Sequence, residues 1–333
     1  MWAFPESSTA VRYLAGETAW AGYHDGELAW RVTEGNNVRD FAYAAPTTLD
    51  AAIAALAGRN GRARPFAGGT DLLVQLRVGR LDPELVVDLK GIPELNRLTY
   101  DARGLRIGAA VPCHRIYDHP DVKAHYAGLV DSVSIVGGIA IQGRASLGGN
   151  LCNAAPSGDT IPALIALGAV AVVRGPGGER RIAAEDFCTA PGRTCLTPGE
   201  ILVELEIPAP ATYSGAHYQR FIPRYEMDIA VVGVGASVQL ASDRRTIAAA
   251  RVALASVAPT PLYVAAAGAA LVGTDGGEAA LARAAEAAQA AARPISDMRG
   301  SAAQRRHLVG VFTKRVVQGA LARARGEVVH ASH

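Results

Sequence analysis

Gly68-Gly69-Thr70-Asp71 and Gly148-Gly149-Asn150 each set two glycines ahead of small polar side chains. Without a Cβ the backbone N–H groups are open to the approach of an anion, and the start of a following helix adds a favourable field. Pyrophosphate suits such a segment. One glycine pair is a weak signal, because paired glycines also make ordinary turns. Two pairs suit a long ligand with two phosphates held at two places; the bland reading is two unrelated turns. Asp159 precedes a short apolar run and reads as a helix N-cap. Arg220 stands in a strand-like stretch, where it reads equally well as a solvated charge.

Other chemistries lack their patterns. No G-x-x-x-x-G-K-[ST] or G-x-S-x-G occurs. His114, His119 and His125 form no i, i+4 pair that would ligate a metal from one helix face. Cys113, Cys152, Cys188 and Cys195 contain no C-x-x-C, so neither zinc nor an iron–sulfur cluster is expected on this chain. Gly233-Val234-Gly235 reads as a strand packed closely on its neighbour, since no helix follows it.

The elements that must carry these residues fit a chain of 333 residues, long enough for two or three compact units. Its 33 Lys+Arg against 31 Asp+Glu, without runs of one sign, argue against nucleic acid or an anionic membrane as partner. The longest apolar stretches, near 161–173 and 229–240, fall short of the roughly 20 residues of a spanning helix. MWAFPESS does not resemble a secretory signal, so a cytoplasmic protein without membrane insertion is expected. Residues 1–37 show neither helical nor alternating periodicity and are expected to be peripheral. Thr48 should cap a helix with Leu49, Ile53 and Leu56 on one face. A strand at 63–67 leads into the first glycine pair, a helix carrying Leu72, Leu73 and Leu76, and a buried strand at 85–89. A hairpin turns at 101–104, and a helical region runs through about 114–136. The second glycine cluster reads as a loop, followed by a short helix near 162–167 and strands at 169–173 and 201–207. A domain boundary is placed near Ser214. Beyond it come strands at about 217–221, 229–240 and 246–257, an Ala-rich helix at 278–292, and a last helix with a buried stripe of Leu308, Phe312, Val316 and Ala320. Strands followed by helices indicate an α+β domain.

Taken in order and spacing, Ala67-Gly68-Gly69-Thr70-Asp71-Leu72, Ser146-Leu147-Gly148-Gly149-Asn150-Leu151 and Asp159 with Pro162-Ala163 resemble the flavin motifs of the FAD subunits of molybdenum hydroxylases. That family includes xanthine dehydrogenase and the carbon monoxide dehydrogenase medium subunit. The resemblance continues through Glu200-Ile201-Leu202, residues 220–224, Met227-Asp228-Ile229-Ala230 and residues 295–301 with Arg305-Arg306, and covers 38–326. It implies a two-subdomain FAD-binding domain of the vanillyl-alcohol-oxidase and p-cresol-methylhydroxylase type at 38–214, divided at about 97. A small antiparallel-sheet-plus-helices domain at 215–326 and a tail at 327–333 would follow. It further implies FAD held by Ala67, Gly68, Gly69, Thr70, Asp71 and Leu72 and by Ser146, Gly148, Gly149 and Asn150. Asp159 would stand at the flavin's polar edge, Leu202 would be an apolar wall, and Arg220 would lie near the ring or a bound nicotinamide nucleotide. By the same resemblance the partners are a large molybdopterin subunit and a small subunit with [2Fe-2S] clusters, as a dimer of heterotrimers, with NAD, oxygen, a quinone or another oxidant as the final acceptor. Residues 1–37 have no counterpart in the family pattern. A self-contained FAD-dependent oxidoreductase of this fold and a flavin-free assembly subunit remain the alternatives.

Overall fold

The computed structural model describes residues 9–14, 17–24, 27–31, 38–59, 61–224 and 227–329, the first three segments by their backbone alone. The first sheet is built around β4 (Phe41–Ala44), β5 (Ala63–Phe66) and β6 (Leu85–Asp88), with β6 in the middle and parallel to both neighbours. Two crossovers make this possible, through α1 (Leu49–Ala57) and α2 (Leu72–Arg77). Thr48 caps α1, its Oγ1 accepting from the Ala51 amide at 3.3 Å, and Leu49, Ala52, Ile53 and Leu56 turn inward. On the far edge β4 pairs antiparallel with β3 (Glu27–Arg31), followed by β2 (Glu17–His24) and β1 (Thr9–Leu14). The N-terminal segment thus contains regular structure that its sequence did not announce. A strand added to an open sheet edge is held by backbone hydrogen bonds, which demand no alternation of side chains. The tail beyond 329 lies outside the described residues.

The second sheet is antiparallel, with β7 (Leu98–Asp101) and β8 (Gly104–Gly108) forming the expected hairpin. It continues through β9 (Val170–Gly175), β10 (Gly178–Ala183) and β13 (Ile201–Pro208) in the order β10-β9-β13-β8-β7. Between its strands run α3 (Cys113–Asp118), α4 (Pro120–His125), α5 (Ala127–Val133), α6 (Ile139–Gln142), α7 (Leu147–Asn153), α8 (Thr160–Ala166) and α9 (Ala184–Phe187). A small hairpin of β11 (Cys188–Ala190) and β12 (Arg193–Thr194) lies beside them. The helical region expected over 114–136 is therefore three short helices. Pro120 breaks it: proline lacks an N–H and pushes the preceding residue to extended backbone, as His119 shows. One core joins both sheets, from Leu49 through Ile107, Leu147 and Val173 to Ile207.

The C-terminal third is a meander, β14 (Ser214–Phe221), β15 (Val232–Leu240), β16 (Ile247–Ala255) and β17 (Leu262–Tyr263), covered by α10 (Ala265–Ala269), α11 (Glu278–Ala291) and α12 (Ala302–Ala324). Phe312, Val316 and Ala320 form the buried stripe of α12, joined by Val309 and Val317, whereas Leu308 is only half-buried. The whole is the α+β arrangement expected. No described helix is long and apolar enough to cross a membrane.

A buried polar cluster bolts this sheet to the first domain. Asp131 on α5 meets His217 Nδ1 at 2.7 Å, accepts from the Tyr218 amide at 3.2 Å, and takes both arms of Arg323 from α12 at 2.5 and 2.9 Å. A carboxylate only accepts, so Nδ1 of His217 carries the proton. Gly319 lets α12 lie against the imidazole, since a Cβ there would stand 2.4 Å from His217 Cδ2.

Candidate cofactor-binding site

The first glycine segment leaves β5 at the carboxyl end of the parallel strands, where open α/β sheets place their ligands. Gly68 has no space for a side chain: a Cβ would fall 2.0 Å from the carbonyl oxygen of Arg144. That contact presses the segment onto the chain entering the second glycine pair. Gly69 sits in left-handed backbone at φ +78°, and a Cβ would strike the Phe66 ring at 2.3 Å. The amides of Gly69, Thr70 and Asp71 meet no acceptor among the described residues. Asp71 precedes Leu72, the first residue of α2, without making a capping bond. It stays open to solvent, yet the protein around it pushes its carboxyl above the usual range through burial. Gln75 on α2 donates to Asn153 Oδ1 of α7 at 2.9 Å, a second tie between the segments.

The second pair lies in the first turn of α7 rather than in a loop. Ser146 is the N-cap, its Oγ accepting from the Gly149 amide at 3.0 Å, so that amide is not bare as expected; the Gly148 amide meets no acceptor among the described residues. The two glycines differ in role. A Cβ on Gly148 would collide with Ala109, 2.4 Å from its carbonyl oxygen, whereas one on Gly149 would meet only Ser146 Oγ, at 3.1 Å. Gly148 is needed for packing and Gly149 keeps a surface clear. Asn150 Oδ1 accepts from Thr160 Oγ1 at 2.7 Å and so holds the start of α8.

Asp159, just before Thr160, does not cap α8. Its carboxylate accepts instead from the Tyr218 hydroxyl at 2.8 Å and from Arg220 at 2.5 Å, both on one face of β14. The Arg220 side chain is only 7% exposed, which excludes the solvated reading. Burial pushes Asp159 up to about 6, and the Arg220 charge and the Tyr218 hydrogen bond offset this only in part. Gly233 opposite Arg220 makes room for the Tyr218 ring, since a Cβ there would stand 2.7 Å from its hydroxyl. Gly235 brings β15 against the Pro162 carbonyl of α8, consistent with the close-packed strand expected.

A chain of contacts therefore runs from Gly68 to Arg144, through Ser146 and Asn150 to Thr160, and from Asp159 to Arg220. Leu202 lies apart from that chain of contacts in β13, opposite Val173, 3% exposed and engaged in the core. Tyr218 was missed from the sequence. Its signal was the two-residue spacing from Arg220 on a strand.

The FAD-binding domain in molybdopterin dehydrogenase matches residues 39–210, and the CO dehydrogenase flavoprotein C-terminal domain matches 217–320. The carbon monoxide dehydrogenase medium chain of Afipia carboxidovorans is 33% identical over 86% of this chain and 98% of its own length. A putative xanthine dehydrogenase FAD-binding subunit of Escherichia coli is 32% identical over 87% and 99%. The reconstituted CO dehydrogenase from Oligotropha carboxidovorans superposes with a TM-score of 0.82 at 31% identity, covering 86% of this chain and 99% of that one.

Proposed function

Because the chain belongs to the family built on the FAD-binding domain of molybdopterin dehydrogenases, we propose that it relays electrons within a molybdenum hydroxylase, from iron–sulfur clusters of a small partner subunit to a final acceptor. Substrate oxidation then belongs to a large molybdopterin subunit, in the cytoplasm. The observation that carries the reading is the set of unbonded amides on Gly69, Thr70, Asp71 and Gly148, in two segments pressed together at Gly68. In this reading Ala67, Gly68, Gly69, Thr70, Asp71 and Leu72 form one side of the diphosphate cradle. Ser146, Gly148, Gly149 and Asn150 form the other. The amides donate to phosphate oxygens, and Gly149 keeps its face clear for them. Asp159 and Arg220 stand at the polar edge of the ring, with Leu202 as apolar backing. Bound FAD supplies a centre that takes electrons singly or in pairs, which suits a relay out of one-electron clusters. Asp159 is poised to hold or release a proton near pH 6, with Tyr218 and Arg220 fixing its carboxylate.

The purified chain should be yellow, and acid precipitation should release the chromophore into the supernatant. Gly149→Asp puts a carboxylate where the phosphates approach, so flavin should be lost while the far-ultraviolet dichroism is kept. A folded wild-type chain that stays colourless after incubation with FAD overturns the reading. In the assembled complex, Gly149→Asp should still let substrate bleach the iron–sulfur clusters while acceptor reduction stops; turnover with the natural acceptor would contradict the relay.

A further inference from the structure

We propose a second ligand site, for a small phosphate monoester, in a cavity of about 410 Å³ at the joint between the two domains. His125, Tyr213, Ser214, Arg244, Arg323 and Arg325 line it, and it shares no residue with the glycine segments, Asp159 or Arg220. Its volume falls in the range of about 300–1,000 Å³ typical of small-molecule sites.

The charge of this cavity is one-sided. Among the described residues, three arginines and a histidine line it, and no carboxylate does. Arg323 is compensated from behind by Asp131, but neither Arg244 nor Arg325 meets a carboxylate among the described residues. Arg325 reaches only the Asp275 carbonyl, at 3.3 Å, and Asp275 itself pairs with Arg245. Arg244 lies 4.6 Å above the Tyr213 ring and donates to its hydroxyl at 3.0 Å. Both residues hold left-handed backbone, Tyr213 at φ +59° and Arg244 at φ +56°, although neither is glycine. Such conformations persist only where the surroundings impose them, and they gather at ligand sites. Two uncompensated guanidinium forks match a phosphate dianion in charge, and each can grip two of its oxygens. A monocarboxylate would leave one fork unanswered.

The test uses the FAD-loaded full chain, so that the flavin cradle cannot take up the probe. Adenosine monophosphate and inorganic phosphate are titrated calorimetrically against sodium chloride of equal ionic strength. One saturable site is expected for both phosphates and none for chloride. Arg325→Gln should weaken binding at least about tenfold, and Arg244→Gln should do so independently. Flavin absorbance should be unchanged in both, because both side chains are exposed and line a cavity that contains none of the flavin segments. Arg325→Lys should keep part of the affinity, as a charge without the fork. Equal affinity in wild type and in the Arg244→Gln, Arg325→Gln double variant, or heats that track ionic strength alone, would overturn the site.

Discussion

Asp131 and Asp159 both tie β14 to the first domain, and both are buried, at 4% and 8% exposure. Burial alone would raise each carboxyl. At Asp131, hydrogen bonds from His217 and Arg323 outweigh burial and hold the group below the usual range. At Asp159, one arginine and one phenol do not, and it rises to about 6. Asp131 has bonds from a histidine, an amide and both arms of a guanidinium, whereas Asp159 has two among the described residues. The saturated acid is a fastener. The undersupplied one, next to the segment proposed to carry the cofactor, is free to respond to what lies beside it.

The largest effect that could break this contrast is on Asp131. Asp131→Ala leaves the Arg323 guanidinium without its counter-charge and the His217 Nδ1–H without its acceptor, and denaturant unfolding should show a loss of about 3–5 kcal/mol. A loss below about 1 kcal/mol would mean that the joint is held elsewhere. The same distinction between fastening and responding separates adjacent glycines. Gly148→Ala forces a methyl into Ala109 and should lower stability by about 1–3 kcal/mol, whereas Gly149→Ala should leave the unfolding midpoint nearly unchanged.

A smaller effect sharpens the contrast through pH. Asp131, with a depressed folded pKa, contributes stability that is complete above the ordinary carboxylate value of 3.8 and is lost as pH falls through the folded value. Asp159 runs the other way: its raised pKa makes its contribution decline as pH rises from 3.8 to about 6. Asp159→Asn should therefore flatten the stability profile in that window and remove any change in the flavin spectrum centred near pH 6. A transition that survives the substitution belongs to another group. The smallest effect concerns residues 1–37. Because their described strands extend the outer edge of the first sheet beyond β4, their deletion should leave flavin content unchanged and the thermal midpoint within a few degrees. A large drop would place them among the fasteners.

Local signals were legible in the sequence. Thr48 as a cap, the glycine pair after a strand, and the stripe of Phe312, Val316 and Ala320 are fixed by short-range geometry. The helix at Leu147–Asn153 was hidden because two adjacent glycines read as a loop, although the Ser146 cap and burial of Leu147 and Leu151 outweigh their poor propensity. The Asp131 cluster left no local trace, since its members are separated by 86 and 192 positions. Asp159 and Arg220 were each visible, but their pairing was not, because it depends on how β14 docks.

The contact of Gly68 with the Arg144 carbonyl also orders events in time. It closes a loop of roughly 75 residues, an entropic cost met only after the intervening strands and helices have begun to pack. Neither half of the proposed cradle is complete without the other, so a refolding chain should gain its helices first and its capacity to quench flavin fluorescence later. On the ribosome, the first glycine segment must wait for the second to emerge.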